Sequence, residues 1–204
     1  MTATNANARL EALSDGVFAI AMTLLIIEVK LAGTEHITSN VELWRALSHV
    51  APLVFAFVLS FTVIFITWVN HHALMQTIQR SSLPFTYANG LLLLTVVSLP
   101  FPTALLGEFV GTDHAAPAVV LYNSVLVVQG VAWILVCSSA LLKGLAVDER
   151  AVAMLREGRR NGYWALALYG GLAIVAIWAP RTVAVITTLS WVFWLVLSIR
   201  LRRA

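Results

Sequence analysis

Charge is scarce in this chain. Only 11% of its 204 residues are Asp, Glu, Lys or Arg, against about 25% in a soluble domain. That shortage excludes an ordinary water-soluble enzyme. Cysteine is nearly absent as well. The single Cys137 excludes an intrachain disulfide framework, and inside an apolar run it reads as a small packing residue. No nucleophile elbow, metal triad or phosphate-binding glycine loop occurs, so a membrane-embedded enzyme has no residues to rest on, and no metal site is expected. The net charge of +3 points to no nucleic-acid partner. What is present in excess is apolar surface, at 60% hydrophobic residues.

Those residues fall into six runs, each near the ~20 residues that a membrane helix needs. They cover about 12–31, 49–69, 86–107, 118–142, 162–179 and 182–199. The runs are continuous rather than alternating, which favours helices over barrel strands. The expected fold is an all-α integral membrane bundle of six helices in a single domain spanning 1–204, with the lipid bilayer as its surroundings. Ten of the thirteen basic residues lie before the first span, in alternate loops and after the last span. Lys30, Arg45 and Arg181 lie on the other side. The positive-inside rule then places both termini in the cytoplasm. A cleaved signal peptide is not expected, because Arg9 is the only positive charge before the first run and five more runs follow. The polar stretch 143–161 reads as a cytoplasmic extension of the fourth helix or a short amphipathic piece. No internal repeat is visible, so the paired inverted halves of many transporters have no support.

The first span holds the unusual chemistry. Twelve residues separate Asp15 from Glu28, too few to cross ~30 Å of hydrocarbon at 1.5 Å per residue. A carboxylate facing lipid at that depth is costly, so this helix is expected to be buried in protein or to line an aqueous path. The plainer alternative is that Asp15 only favours the first turn through the helix dipole. On a helical wheel Ile20, Thr23, Leu24 and Ile27 share one stripe, and Asp15 lies about 140° from Ile20. If that stripe faces a pore, Asp15 needs a partner behind it. Arg9 is one candidate, and the cluster Trp68-Val-Asn-His71-His72 at the end of the second span is another. The two histidines are adjacent and point about 100° apart, which disfavours shared chelation. Trp68 can pack on one of them, and either could respond to pH. Thr23 is either bonded back to the carbonyl of Ala19 or part of a hydroxyl ring.

Arg9-x-x-x-Leu13-Ser14-Asp15 resembles the Arg-x-x-x-Phe-Ser-Asp signature of the transmembrane protein 175 family of potassium channels. Ile20-Ala-Met-Thr23, Glu28, Trp68-x-x-His71-His72 and the run from Leu91 through Ser98-Leu-Pro-Phe-Pro-Thr103 resemble other stretches of that family. Leu13 stands where the family usually has Phe. The resemblance covers about the first half of the chain. It implies a homotetrameric cation channel of the inner (plasma) membrane, without cofactor, passing potassium and other monovalent cations. It implies Ile20 as the narrowest layer, with Thr23 and then Ile27 beyond it, and Leu24 on the same stripe. It implies Arg9, Ser14, Asp15, Trp68 and a helix 2 histidine (His71 or His72) as a brace at the cytoplasmic end. A pore lined by one helix type needs several copies about an axis. The familiar Thr-Val-Gly-Tyr-Gly carbonyl filter is absent, so only weak selectivity is expected. The competing reading is a proton-coupled secondary transporter with Asp15, Glu28 and the histidines as relay.

Overall fold

The structure, a computed structural model, describes residues 7–30 and 37–201, the last five for their backbone alone. Seven helices follow in order: α1 (Ala8–Leu24), continued by a 3-10 turn (Leu25–Glu28), α2 (Asn40–Gln76), α3 (Leu83–Ser98), α4 (Pro100–Phe109), α5 (Ala115–Leu142), α6 (Glu149–Val175) and α7 (Pro180–Leu201). Among the described residues the only sheet-like pairing is an isolated bridge between Ile78 and Ala146. The fold is all-helical. Among the described residues, four helical segments are long and apolar enough to cross a membrane: 8–28, 40–76, 83–109 and 115–142.

Local chemistry explains where the helices differ from the apolar runs. The second run spans 49–69, but α2 has 37 residues, about 55 Å of helix. It starts early because Ser39 and Glu42 form a capping box. Ser39 Oγ accepts the Glu42 amide at 3.2 Å, and Glu42 Oε2 accepts the Ser39 amide at 3.2 Å. The third run, 86–107, is broken at Leu99, because Pro100 cannot donate to the carbonyl four residues back. The stretch 143–161 is neither an extension of the preceding helix nor a separate piece. Its link is short, and Glu149 already belongs to α6. Asp148 sets that start, its carboxylate accepting the Ala151 amide at 2.7 Å. The first run was read to Leu31, which lies outside the described residues.

Three links gather one end of the molecule. Asn7 Nδ2 donates to the Ile78 carbonyl at 2.9 Å. The Gln79 amide donates to Leu145, and the Val147 amide to Thr77. The start of α1, the end of α2 and the α5–α6 link therefore meet, and Arg9, Arg80, Lys143 and Arg150 share that end. At the opposite end Arg181 reaches the carbonyls of Gly111 and Thr112 and the carboxylate of Asp113 at 3.3–3.5 Å.

The core sits between α5 and its neighbours, closed by small residues. A Cβ on Gly162 would fall 2.7 Å from Ile134 Cγ1, and one on Gly107 would fall 2.8 Å from the Leu53 Cα. The second contact is with backbone and cannot yield by a rotamer change. Gly107→Ala is therefore expected to lower the stability of the detergent-solubilised protein by about 1–3 kcal/mol. Gly90→Ala, where a Cβ meets nothing within 4 Å, should not. Thermal melts of both variants check this, and equal melting temperatures would show that α2 and α4 are free to separate.

Candidate functional site: one face of the first helix and its brace

Helix α1 is two-faced. Ser14, Phe18, Ala21 and Leu25 are fully buried against α2 and α3. The other face carries Gly16, Ile20, Thr23, Leu24 and Ile27, all exposed. Ile20 and Ile27 keep 58% and 56% of their surface, so nothing in the described chain covers this stripe. Thr23 Oγ1 donates to the Ile20 carbonyl at 2.8 Å, three residues back rather than to Ala19. With its proton committed there, the hydroxyl offers only lone pairs outward.

The buried face is held by polar side chains near the start of the helix. Trp68 Nε1 donates to Asp15 Oδ1 at 2.8 Å. Ser14 Oγ donates to the Leu10 carbonyl at 2.8 Å and accepts Asn89 Nδ2 at 3.0 Å. The other end of the same amide, Asn89 Oδ1, lies 2.7 Å from His71 Nε2. That nitrogen must carry the proton, because an amide oxygen can only accept. The chain His71–Asn89–Ser14 thus ties α2, α3 and α1 in one buried line. Phe18 packs on the His71 ring at 5.4 Å between centroids.

The two histidines part company, as their spacing requires. His71 is buried in the line just described. His72 is half-exposed, stacked on Trp68 at 6.0 Å, bonded to Gln76 at 3.0 Å and 3.5 Å from Glu11. That last separation is an ion-pair distance, too long for a hydrogen bond. Each ring therefore reaches the first helix or its neighbour by a separate route.

Of the residues singled out in the sequence, Ser14, Asp15, Trp68, His71 and His72 converge at this end. Arg9 does not join them. It is exposed and takes part in none of the described hydrogen bonds or ion pairs. Asn89 is the member that sequence reasoning missed. Its only signal was an amide in the otherwise apolar third run.

The sequence profile of the family described as "Endosomal/lysosomal potassium channel TMEM175" matches residues 9–100, the segment that holds the stripe and the brace. A protein of Streptomyces collinus named as a potassium channel is 37% identical over 185 residues, covering 88% of this chain and 87% of that protein. One from Chamaesiphon minutus, also named as a potassium channel, is 34% identical over 174 residues, covering 83% and 85%. The chain belongs to the TMEM175 family. The crystal structure of a TMEM175 homolog from Chamaesiphon minutus, titled a lysosomal potassium-selective channel, superposes with a TM-score of 0.79. It is 31% identical and covers 94% of this chain and 97% of that one. The chain is thus a multi-pass membrane protein of an ion-channel family, and channels are not a class of enzyme.

The brace makes a separable prediction. Trp68→Phe keeps the ring and deletes one donor to a carboxylate, so it should cost about 1–3 kcal/mol of stability. Arg9→Ala, which removes an exposed side chain, should stay within about 0.5 kcal/mol. Melting temperatures of the two purified variants check the pair, and the reverse order would place Arg9 in the brace.

Proposed function

We propose that the protein is a homotetrameric cation channel, weakly selective for potassium, whose pore is lined by α1. The observation that carries this reading is the uncovered stripe Ile20, Thr23, Leu24 and Ile27 set opposite a wholly buried, hydrogen-bonded face. A helix braced so firmly from one side is built to present its other side to something fixed. One helix supplies one wall, and copies about a symmetry axis supply the rest. The relatives named as potassium channels over most of their length support the same reading.

In this arrangement four Ile20 side chains form the narrowest ring, which closes by dewetting. An ion passing it must lose part of its water. The Thr23 oxygens one turn further on, with their protons held by the Ile20 carbonyls, replace some of that water with lone pairs. A ring of single hydroxyls is a less complete substitute than a cage of carbonyls, so discrimination between potassium and sodium is modest. Ile27 adds a second apolar layer. The brace of Ser14, Asp15, Trp68, His71 and Asn89 holds the depth and rotation of Ile20, on which closure depends. In this reading the protein lies in the plasma membrane, and the excess of Lys and Arg at the end gathered by Asn7, Ile78 and Val147 supports a cytoplasmic side there for both termini.

Purified protein in liposomes should pass potassium faster than sodium, with a rate that does not saturate at moderate concentration. Ile20→Asn should hydrate the ring and raise flux several-fold. Thr23→Val should lower the potassium-to-sodium ratio. Flux that saturates with substrate, or an Ile20→Asn variant that conducts like the parent, would move the permeation path away from α1.

A further inference from the structure

A cavity of about 700 Å³ lies between α2, α5, α6 and α7, away from the exposed stripe of α1. Its size is in the range of sites for small organic molecules, but its shape is long. Along α6 the wall runs from Arg150 to Tyr169, about 28 Å of helix, and along α2 it runs from Ile66 to Thr77, about 16 Å.

The chemistry changes along that length. The deep end holds no charged group: Ile66, Leu126, Ala165 and the rings of Trp191 and Trp194 line it beside the Gln129 amide, whose Nε2 donates to Thr67. The other end, beside the α5–α6 link, carries the charged groups of the lining, Arg150 and Glu157. Glu157 is already paired with Arg160 at 3.3 Å. Arg150 is exposed and joins none of the described hydrogen bonds or ion pairs. It also edges a second, smaller cavity of about 290 Å³ beside Thr77 and Asp148, and the Asp148 carboxylate accepts the Ala151 amide. Between Lys143 and Arg160 five basic residues stand against three acidic ones, Asp148, Glu149 and Glu157, so the segment at this mouth is net positive.

The length of the groove and the place of its cation match one kind of molecule. Half of a bilayer, headgroup layer included, is about 20–22 Å thick, close to the distance of about 22 Å along α6 from Arg150 to Ala165. Helix α5 is apolar to Leu142 and ends at Lys143, and the α5–α6 link bonds to the end of α2 there, so Arg150 in the first turn of α6 stands at the level of lipid headgroups. An arginine without a partner at that level suits a phosphate, which it binds through two parallel N–H bonds. We propose that this groove is a site for an anionic phospholipid, with one acyl chain between α2, α5 and α6 and its phosphate on Arg150.

The test is native mass spectrometry of the full-length protein in detergent, titrated with phosphatidylglycerol, phosphatidylcholine or inorganic phosphate. Phosphatidylglycerol should bind about fivefold more tightly than phosphatidylcholine, as one basic side chain near a membrane surface provides. Arg150→Gln should erase that preference, and Arg150→Lys should keep most of it. Ala165→Phe, which fills the groove but leaves the mouth intact, should weaken both lipids. Arg181→Gln, at the opposite end of the molecule beside Asp113, should change neither. The proposal is overturned if Arg150→Gln retains the full preference, or if Ala165→Phe binds both lipids as the parent does. It is also overturned if inorganic phosphate displaces the lipid, since that result marks a free-anion site. Melting temperatures close to the parent's show that the variants are folded. Should Arg150→Gln fail to fold, Ala165→Phe alone decides.

Discussion

A helix that leaves one face open must be fixed from the other, and in α1 that task falls to hydrogen bonds. Apolar packing of Phe18, Ala21 and Leu25 would hold the helix against its neighbours but would tolerate a small rotation or slide. The bonds from Trp68 to Asp15 and from Asn89 to Ser14 would not, because each depends on a donor and an acceptor within about 3 Å. Their net contribution to stability is modest, about 1 kcal/mol each. Their contribution to position is larger, since a buried polar group left unpaired costs more than a made bond contributes. The result is a first helix with one depth and one rotation.

The same logic recurs through the bundle. Lipid is as apolar as leucine, so apolar side chains alone do not tell a helix neighbour from a lipid neighbour. Register between helices is set where polar atoms meet. Gln129 donates to Thr67 at 2.9 Å, linking α5 to α2. Thr103 donates to Ser60 at 2.7 Å, and Ser60 lies 3.0 Å from the Tyr122 hydroxyl, joining α4, α2 and α5. Thr187 donates to Asn123 at 3.0 Å, and Tyr169 lies 3.1 Å from Ser190, which fixes α7 to α5 and α6. Helix α5 takes part in three of these links, and glycines on its seam with α6 bring the two backbones close. Placement of α1 is thereby passed on through α2 and α3 to the remaining helices.

Much of this could be read from the sequence because polar residues are rare there. Asp15, Trp68 and the two histidines stand out against apolar runs, and their spacing on a wheel already set Asp15 behind the Ile20 stripe. Asn89 was not recognised, because a single amide beside Gly90 looks like a helix-start residue until its partners are seen. Gln129 and Ser60 escaped for the same reason, since their meaning lies in a second residue 62 or 43 positions away. Arg9 was overvalued. Its charge suggested a partner for Asp15, but the indole N–H of Trp68 takes that place and leaves the cation in the open. Helix bounds were least legible at caps. Periodicity marks the apolar part of α2 and α6, whereas Ser39 with Glu42 and Asp148 decide where those helices begin.

The short span between the two acids of α1 now has a geometric answer. Thirteen residue steps of α-helix from Asp15 to Glu28 would give about 20 Å. The last four residues tighten to a 3-10 turn, whose larger rise brings the total to about 22 Å. That is still short of a ~30 Å hydrocarbon core, so a helix that crosses the bilayer here must shield at least one acid with protein or water. Glu28 closes the helix next to Val29 and Lys30, half-exposed and near the chain's exit from the bundle. Asp15 lies a full two turns inside α1, where a carboxyl group needs a protein donor, and Trp68 is that donor. The brace answers that need for a donor. A carboxyl group set within a packed helix is stable only when a neighbouring helix brings it a donor, and the bonds that satisfy Asp15 and Ser14 also set the rotation of the open face.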